Sequence, residues 1–221
     1  MPDQEPPPNY DGDPNPYSLA AGTLLSRVHS AEYDVCAFKP PPADPHWGGG
    51  RFDATAADPY PYLYAAGDDR TAVAETLLRD LPIDDRGARL LPRATTRERR
   101  ISWLRPTTDL LLVSLRSGED LAAVAQDPWL VQAPASDYGK TRRWAHAIRS
   151  WAPWSQGFTW VSRREPEGMA YILFGDRCPP ECLEAITAGT PIPPTDNYLD
   201  RGAGAVYLAA ILERYRVTLY P

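Results

Sequence analysis

Proline limits this chain more than any other residue. It supplies 25 of 221 positions, about 11 %, roughly twice the usual share. A proline inside a helix removes a backbone donor and clashes with the preceding turn, so long uninterrupted helices are excluded wherever prolines cluster. Two clusters stand out. Residues 1–20 read PDQEPPPNYDGDPNP and onward, and residues 39–61 carry Pro40, Pro41, Pro42, Pro45, Pro59 and Pro61 with Gly48-Gly49-Gly50. The first cluster is expected to be a flexible tail, with a solvated role preferred over a polyproline ligand. The second is expected to be a long loop, and loops of that length usually serve function or stay disordered.

Between and beyond these clusters the chain can build a core. Apolar residues make up 43 % and charged residues 24 %, close to globular averages. The length suits one domain, expected over residues 21–221. Short apolar runs predict strands at Leu24–His29, Tyr62–Ala66, Asp109–Leu115, Phe158–Ser162 and Ala170–Phe174. Gly67-Asp68-Asp69 predicts a capped helix start. Val73, Ala74, Leu77, Leu78 and Leu81 continue it over about 70–81. Further helices are expected at Asp120–Gln126, Thr141–Ser150 and Gly204–Arg214. Strands and helices mix without a regular βαβ alternation, which predicts an α+β fold.

Charge and motifs exclude several functions. The net charge of -6 gives no overall positive field for nucleic acid or anionic lipid. Arg86, Arg89, Arg93, Arg97, Arg99, Arg100 and Arg105 crowd residues 84–106, but few aromatics interleave. A solvated or protein-docking face is expected there rather than a nucleic-acid patch. The longest apolar run, near Leu110–Leu115, is far short of the ~18–20 residues a membrane helix needs. No basic residue precedes Arg27, and Asp3, Glu5, Asp11 and Asp13 lie before it, so no secretory signal is read. With Cys36, Cys178 and Cys182 too few for a disulfide framework, a cytoplasmic protein with packed, reduced thiols is expected. Gly202-Ala203-Gly204 lacks the third glycine of a dinucleotide fingerprint. There is no P-loop and no Gly-x-Ser-x-Gly elbow. The Cys178–Cys182 spacing with His29, His46 and Cys36 elsewhere does not suit zinc, and no metal site is expected. His146 shows no pairing with a nucleophile.

Four segments hold polar residues that apolar patterning does not explain. They are Arg27 in LLSRVHS, Arg51 in GGGRFD, Tyr64 and Glu75 in YLYAAGDDRTAVAETLL, and Ser162 in FTWVSRREPEGMAYILFGDR. Read alone, each has a plain alternative. Helical periodicity turns Glu75 away from the Val73/Leu77/Leu81 stripe, toward solvent. Arg27 suits a structural salt bridge, Arg51 a loop surface charge, Tyr64 core packing, and Ser162 an ordinary strand end. Tyr138 and Trp144 read as packing residues near the same region.

In order, these elements resemble the RES domain. That pattern is a strand-borne Arg (Arg27), Gly50-Arg51-Phe52, the strand Leu63-Tyr64-Ala65-Ala66 leading into Ala72–Glu75, then Ser162, then Leu173-Phe174 with Asp176-Arg177. The resemblance spans about residues 24–215. It implies an ADP-ribosyltransferase-like fold and an enzyme that consumes NAD+ as a substrate, splitting off nicotinamide by hydrolysis or phosphorolysis, with no separate cofactor. It implies a bacterial toxin whose partner is a DNA-binding antitoxin. Mono-ADP-ribosylation of a macromolecule and a catalytically silent interaction module remain as rivals, and homo-oligomerisation stays open.

The resemblance implies Glu75, Arg27, Tyr64 and Ser162 as catalytic residues, with Arg51 and Gly50 binding NAD+. A carboxylate at Glu75 suits stabilisation of an oxocarbenium-like ribose. Arginines at 27 and 51 suit the pyrophosphate. The Tyr64 ring suits nicotinamide, Ser162 suits orientation by a hydrogen bond, and glycine at 50 suits close backbone approach.

Overall fold

The strands Pro16–Leu19 (β1), Leu25–Ser30 (β2), Tyr62–Ala66 (β3), Arg99–Pro106 (β5), Leu110–Leu115 (β6), Gly157–Val161 (β7), Met169–Phe174 (β8) and Leu183–Ile186 (β9) form one sheet, in the order β1-β6-β7-β8-β3-β2-β5-β9. β6 and β7 run parallel; the other neighbouring pairs are antiparallel. Arg89–Pro92 (β4) and Val217–Tyr220 (β10) make a separate parallel pair. The helices are Asp69–Val73 (α1), Gly118–Ala122 (α2), Trp129–Gln132 (α3), Tyr138–Trp151 (α4) and Gly202–Arg214 (α5). This is the expected α+β architecture. The computed structural model describes residues 5–41 and 49–221, so Pro42, Pro45, His46 and Gly48 of the second proline cluster lie outside the described residues. Among the described residues, no helix is long and apolar enough to cross a membrane.

Three apolar clusters coat the sheet. One packs α4 and the β6–β7–β8–β3 strands around Trp144, Phe158, Trp160, Phe52 and Phe174. A second packs α1 and α5 on β5 around Ile101, Trp103, Leu208 and Leu212. The third contains Leu25, Leu63, Leu104, Leu112 and Leu173, with Cys182 inside it and Cys36 and Cys178 against it; all three thiols are free. Alternation along the strands explains the split. Tyr64 belongs with the first cluster, while its neighbours Leu63 and Ala65 point through the sheet into the third.

Within the tail expected over 1–20, the residues from 5 onward make contacts with the rest of the chain. Residues 16–19 form the edge strand β1, with Tyr17 opposite Leu112. Upstream, the Tyr10 ring meets Trp151 edge-on at 5.2 Å, Asn15 Nδ2 donates to Asp120 Oδ1 at 3.0 Å, and Glu5 pairs with Arg143. Tyr10 and Tyr17 supply the apolar contacts that a proline-rich composition hides. The arginine-rich stretch is also more than a solvated face. Its second half is β5, an interior strand between β2 and β9 that carries Ile101, Trp103 and Leu104 into the core.

The sheet opens into a cleft between β2 and β3. These strands pair at a single position, Ser26 opposite Ala66, and then diverge. Beyond that point β2 continues with β5 as far as Ser30 opposite Arg99, while the other side of β3 stays with β8. The two halves of the sheet are thus hinged at one pair, and the gap between them is where polar groups collect.

Candidate active site

A cavity of about 510 Å³ fills this gap, a size in the ordinary range for small-molecule sites. Its charged lining is lopsided. Arg27, Lys39, Arg51, Arg79, Arg97 and Arg99 stand against Asp53, Glu75 and Glu98 among the described residues. A positively lined cleft in a chain of net charge -6 concentrates field where an anionic ligand would enter.

Glu75 reaches the cavity from the helix face opposite the apolar stripe. α1 starts at Asp68, whose carboxylate caps Thr71 N at 3.0 Å and takes the Thr71 hydroxyl at 2.7 Å. From Ala74 to Leu78 the chain widens into a π-helical turn. Ala72, Glu75, Thr76 and Arg79 share the face opposite Val73 and Leu77, and that face borders the cavity, so Glu75 is half-buried on its wall rather than facing free solvent. Its Oε1 accepts from Ser162 Oγ at 2.6 Å and from Arg163 N at 3.2 Å. Oε2 has no hydrogen-bond partner among the described residues.

Ser162 is buried and is set by the turn that follows β7. Its N–H donates to Gly168 O, and its Oγ accepts from Arg164 N and Glu165 N at 3.3 and 3.2 Å. Gly168 lets this turn lie on α1: a Cβ there would fall 1.9 Å from Thr71 Oγ1. Arg164 Nε donates to Arg79 O at 2.9 Å, tying the turn to the far end of the π-helical segment. Ser162 itself does not line the main cavity; it backs Glu75, and lines a smaller cavity of about 190 Å³ behind it. Its position is that of an orienting group.

On the opposite wall the chain at 49–53 folds around Asp53. Gly50 N donates to Asp53 Oδ2 at 2.8 Å, Tyr62 OH to the same oxygen at 2.8 Å, and Tyr64 OH to Oδ1 at 2.9 Å. Burial, with Asp53 beside them, raises the phenol pKa of both tyrosines, so both stay protonated donors. Tyr64 OH also accepts from Phe52 N at 3.0 Å, and its ring meets Trp160 edge-on at 6.3 Å. Gly50 is needed here: a Cβ would lie 2.5 Å from Tyr64 OH and 2.6 Å from Asp53 Oδ1. The sequence reading missed Asp53, although it directly follows the Gly-Arg-Phe element.

The two arginines read from the sequence sit deeper than a surface charge would. Arg27 is buried and donates through Nη1 to Val35 O at 2.6 Å and Ala37 O at 3.0 Å, with Asp34 O at 3.4 Å. Among the described residues no carboxylate pairs with it, and backbone carbonyls take the place of the expected salt bridge. Burial lowers its pKa to about 10, which leaves it charged at neutral pH. Arg51 is buried too. Its Nη1 donates to Ala133 O at 3.0 Å and lies 3.4 Å from Leu130 O, and its guanidinium stacks 5.1 Å from the Tyr138 ring. Its Nη2 is buried and has no hydrogen-bond partner among the described residues. Arg79, also missed from sequence, stacks on the other reach of Tyr138 at 4.8 Å and donates to Gly49 O at 3.2 Å. Tyr138 and Trp144 are buried packing residues outside the cavity lining.

Arg27, Gly50, Arg51, Tyr64 and Glu75 therefore meet on one cavity, with Ser162 behind Glu75. The family model described as the RES domain matches residues 24–194. The chain belongs to the RES domain family. Comparison with curated proteins gives no match. Among solved structures, a chain of the "M.tuberculosis MbcT-MbcA toxin-antitoxin complex" shares the fold, with a TM-score of 0.53 and 16 % identity. The match covers 76 % of this chain and 84 % of that one. Within the RES domain, Asp176 and Arg177 of the last element are architectural. Asp176 pairs at 2.7 Å with the buried Arg149, which also pairs with Asp58, and Arg177 donates to Ala152 O and Arg149 O.

Proposed function

We propose that this RES domain cleaves the nicotinamide–ribose bond of NAD+, passing ADP-ribose to water or phosphate, and that it acts as a toxin by draining cellular NAD+. The observation that carries the reading is Glu75: a carboxylate fixed through one oxygen by two donors, on the wall of a cation-rich cavity. Cleavage of this bond builds positive charge on the ribose while nicotinamide leaves neutral. The need is for a carboxylate beside the ribose more than for a proton donor at the leaving group. Glu75 fills that role, by charge or by holding the ribose hydroxyls. Ser162 and Arg163 N fix its orientation before the reaction, so little reorganisation is required as charge develops. The half-buried Tyr64 ring forms a flat wall for nicotinamide. Arg27 and Arg51 add fixed positive charge to the floor and side of the cleft. Gly50 keeps that side thin.

The fold shared with a chain of a toxin–antitoxin complex supports a protein partner, and a DNA-binding antitoxin that covers the cleft is the partner we propose. The test is NAD+ loss and nicotinamide release by the purified protein, with and without phosphate, beside Glu75→Gln. Release that depends on Glu75 supports the reading, and its phosphate dependence names the acceptor. A folded protein that releases no nicotinamide in either buffer overturns it. Label from NAD+ retained on a macromolecule would reassign the chain to ADP-ribosyl transfer.

A further inference from the structure

The arginines that the RES pattern singles out are occupied. Arg27 spends Nη1 on backbone carbonyls, and Arg51 spends Nη1 likewise while its Nη2 is sealed from solvent. A substrate oxygen cannot reach that Nη2 without moving the wall. The cavity nevertheless has two guanidiniums with no engagement at all. Arg97 and Arg99 line it, yet among the described residues their side chains make no hydrogen bond, ion pair or ring contact. Their neighbours show the contrast. Glu98, the carboxylate between them, is drawn away to Arg201 at 3.2 Å, and Arg100 stacks on the Tyr198 ring at 4.2 Å. Arg99 is half-buried, and burial alone depresses its pKa, with no anion nearby to offset the cost.

Their position fits a ligand that extends from Glu75. Arg99 pairs with Ser30 at the end of β2, three residues or about 10 Å along the strand from Arg27. Strand alternation puts Arg99 on the same sheet face as Ile101 and Trp103, and Trp103 Nε1 donates to Asp69 Oδ1 in α1, the helix that leads into Glu75. Arg99 thus lies on the Glu75 side of the sheet, toward the wide end of the gap. A half-buried arginine without a partner is costly unless a ligand supplies the anion, and a guanidinium fork suits phosphate oxygens.

We propose that Arg99, together with Arg97, is the phosphate subsite of this cleft and holds the pyrophosphate of the dinucleotide. The naming of the anion rests on the NAD+ reading; the subsite itself does not. ADP is the probe, because it carries the diphosphate and adenosine but no nicotinamide bond to cleave. The Arg97→Gln/Arg99→Gln protein should bind ADP about tenfold more weakly by calorimetry, and should raise the KM for NAD+ by a similar factor with kcat within about twofold. Arg99→Lys, with Arg97 kept, should restore part of the affinity. The melting temperature should not fall, since neither side chain holds the fold. ADP binding at least tenfold tighter than inorganic phosphate supports a diphosphate site; equal binding overturns that assignment in favour of a free anion. Wild-type affinity and KM in the double variant overturn the subsite and leave NAD+ cleavage standing. Arginine-dependent ADP binding by a wild-type protein that cleaves no NAD+ does the reverse.

Discussion

Asp53 and Glu75 are two carboxylates on the walls of one cleft, and the chain treats them in opposite ways. Asp53 is buried and engaged through both oxygens: a backbone N–H and a tyrosine hydroxyl meet on Oδ2, and a second tyrosine hydroxyl on Oδ1. Glu75 is half-buried and held on one side only, by Ser162 Oγ and Arg163 N through Oε1. A buried carboxylate with donors on both oxygens is a fastener, since any ligand that took one of those donors would cost the wall a hydrogen bond. A carboxylate fixed by one oxygen keeps the other for chemistry. Proximity to the cavity does not separate the two; the count of donors per oxygen does.

The strongest test of this contrast is Glu75→Gln. The amide still accepts from Ser162 and keeps the volume, but loses the negative charge. Nicotinamide release should fall by about 10³-fold, the upper end for loss of one preorganised electrostatic contact. Thermal melting should stay within about 2 °C of wild type. A Glu75→Gln protein that turns over normally would remove the asymmetry between the two carboxylates. Asp53→Asn should behave in the opposite sense. With its NH2 toward Gly50 N and Tyr62 OH the amide opposes a backbone donor that cannot rotate; turned the other way, it takes from the Tyr64 hydroxyl, already accepting from Phe52 N, the acceptor for its proton. A loss of about 3 kcal/mol is expected for this buried network. In a chain of 221 residues that corresponds to melting about 10 °C lower. Activity measured well below the new transition should survive far better than in Glu75→Gln.

Stability comparisons of this kind are best made near pH 7, because His29 imposes a slope of its own. It is buried, with Nε2 2.9 Å from Ser102 Oγ and Nδ1 2.9 Å from Ser30 O, and burial beside Arg27 lowers its pKa to about 4. In the unfolded chain the imidazole titrates near its ordinary value of about 6.5. Below that pH the unfolded state takes up a proton that the folded state refuses. Stability should therefore fall as pH drops from about 6.5 toward 4 and level off beneath it, by about 2 kcal/mol at pH 5. His29→Gln should flatten this part of the pH–melting curve. An unchanged slope in that variant would move the titrating group elsewhere.

The same two carboxylates show what could be read from sequence. Glu75 was legible only through the order of the RES elements; helical periodicity set it opposite Val73 and Leu77, but periodicity does not distinguish a cavity wall from open solvent. Asp53 gave no signal. Its partners are Tyr62 and Tyr64, on a strand across the proline-rich loop, and no spacing rule predicts that contact. The strand signals behaved likewise. β3 and β8 were read almost residue for residue, because their apolar residues sit in the middle of the sheet. β1 was lost among prolines, and β5 was masked by arginines at 99, 100 and 105 that surround its apolar centre. Arg51 read as a binding residue or a surface charge, and its buried tie to Leu130 and Ala133 depends on α3, a one-turn helix that apolar patterning did not reveal.

The smallest expected effect falls on Ser162, and it decides whether Glu75 is merely present or positioned. Ser162→Ala removes the 2.6 Å bond to Oε1 but leaves the 3.2 Å bond from Arg163 N, so the carboxylate keeps one tether and its charge. A drop of about tenfold in kcat is expected, with KM for NAD+ nearly constant, because an orienting bond matters more as charge develops than in the bound ground state. The substitution also takes the Oγ acceptor from Arg164 N and Glu165 N, but the turn keeps Gly168 O and the Arg164 side chain, so melting should fall by only about 2–4 °C. Ser162→Thr, which keeps the hydroxyl, should recover part of the loss. If instead Ser162→Ala fell as far as Glu75→Gln, Ser162 would share the chemistry, and the contrast between a carboxylate held through one oxygen and one held through both would have to include a third group at the site.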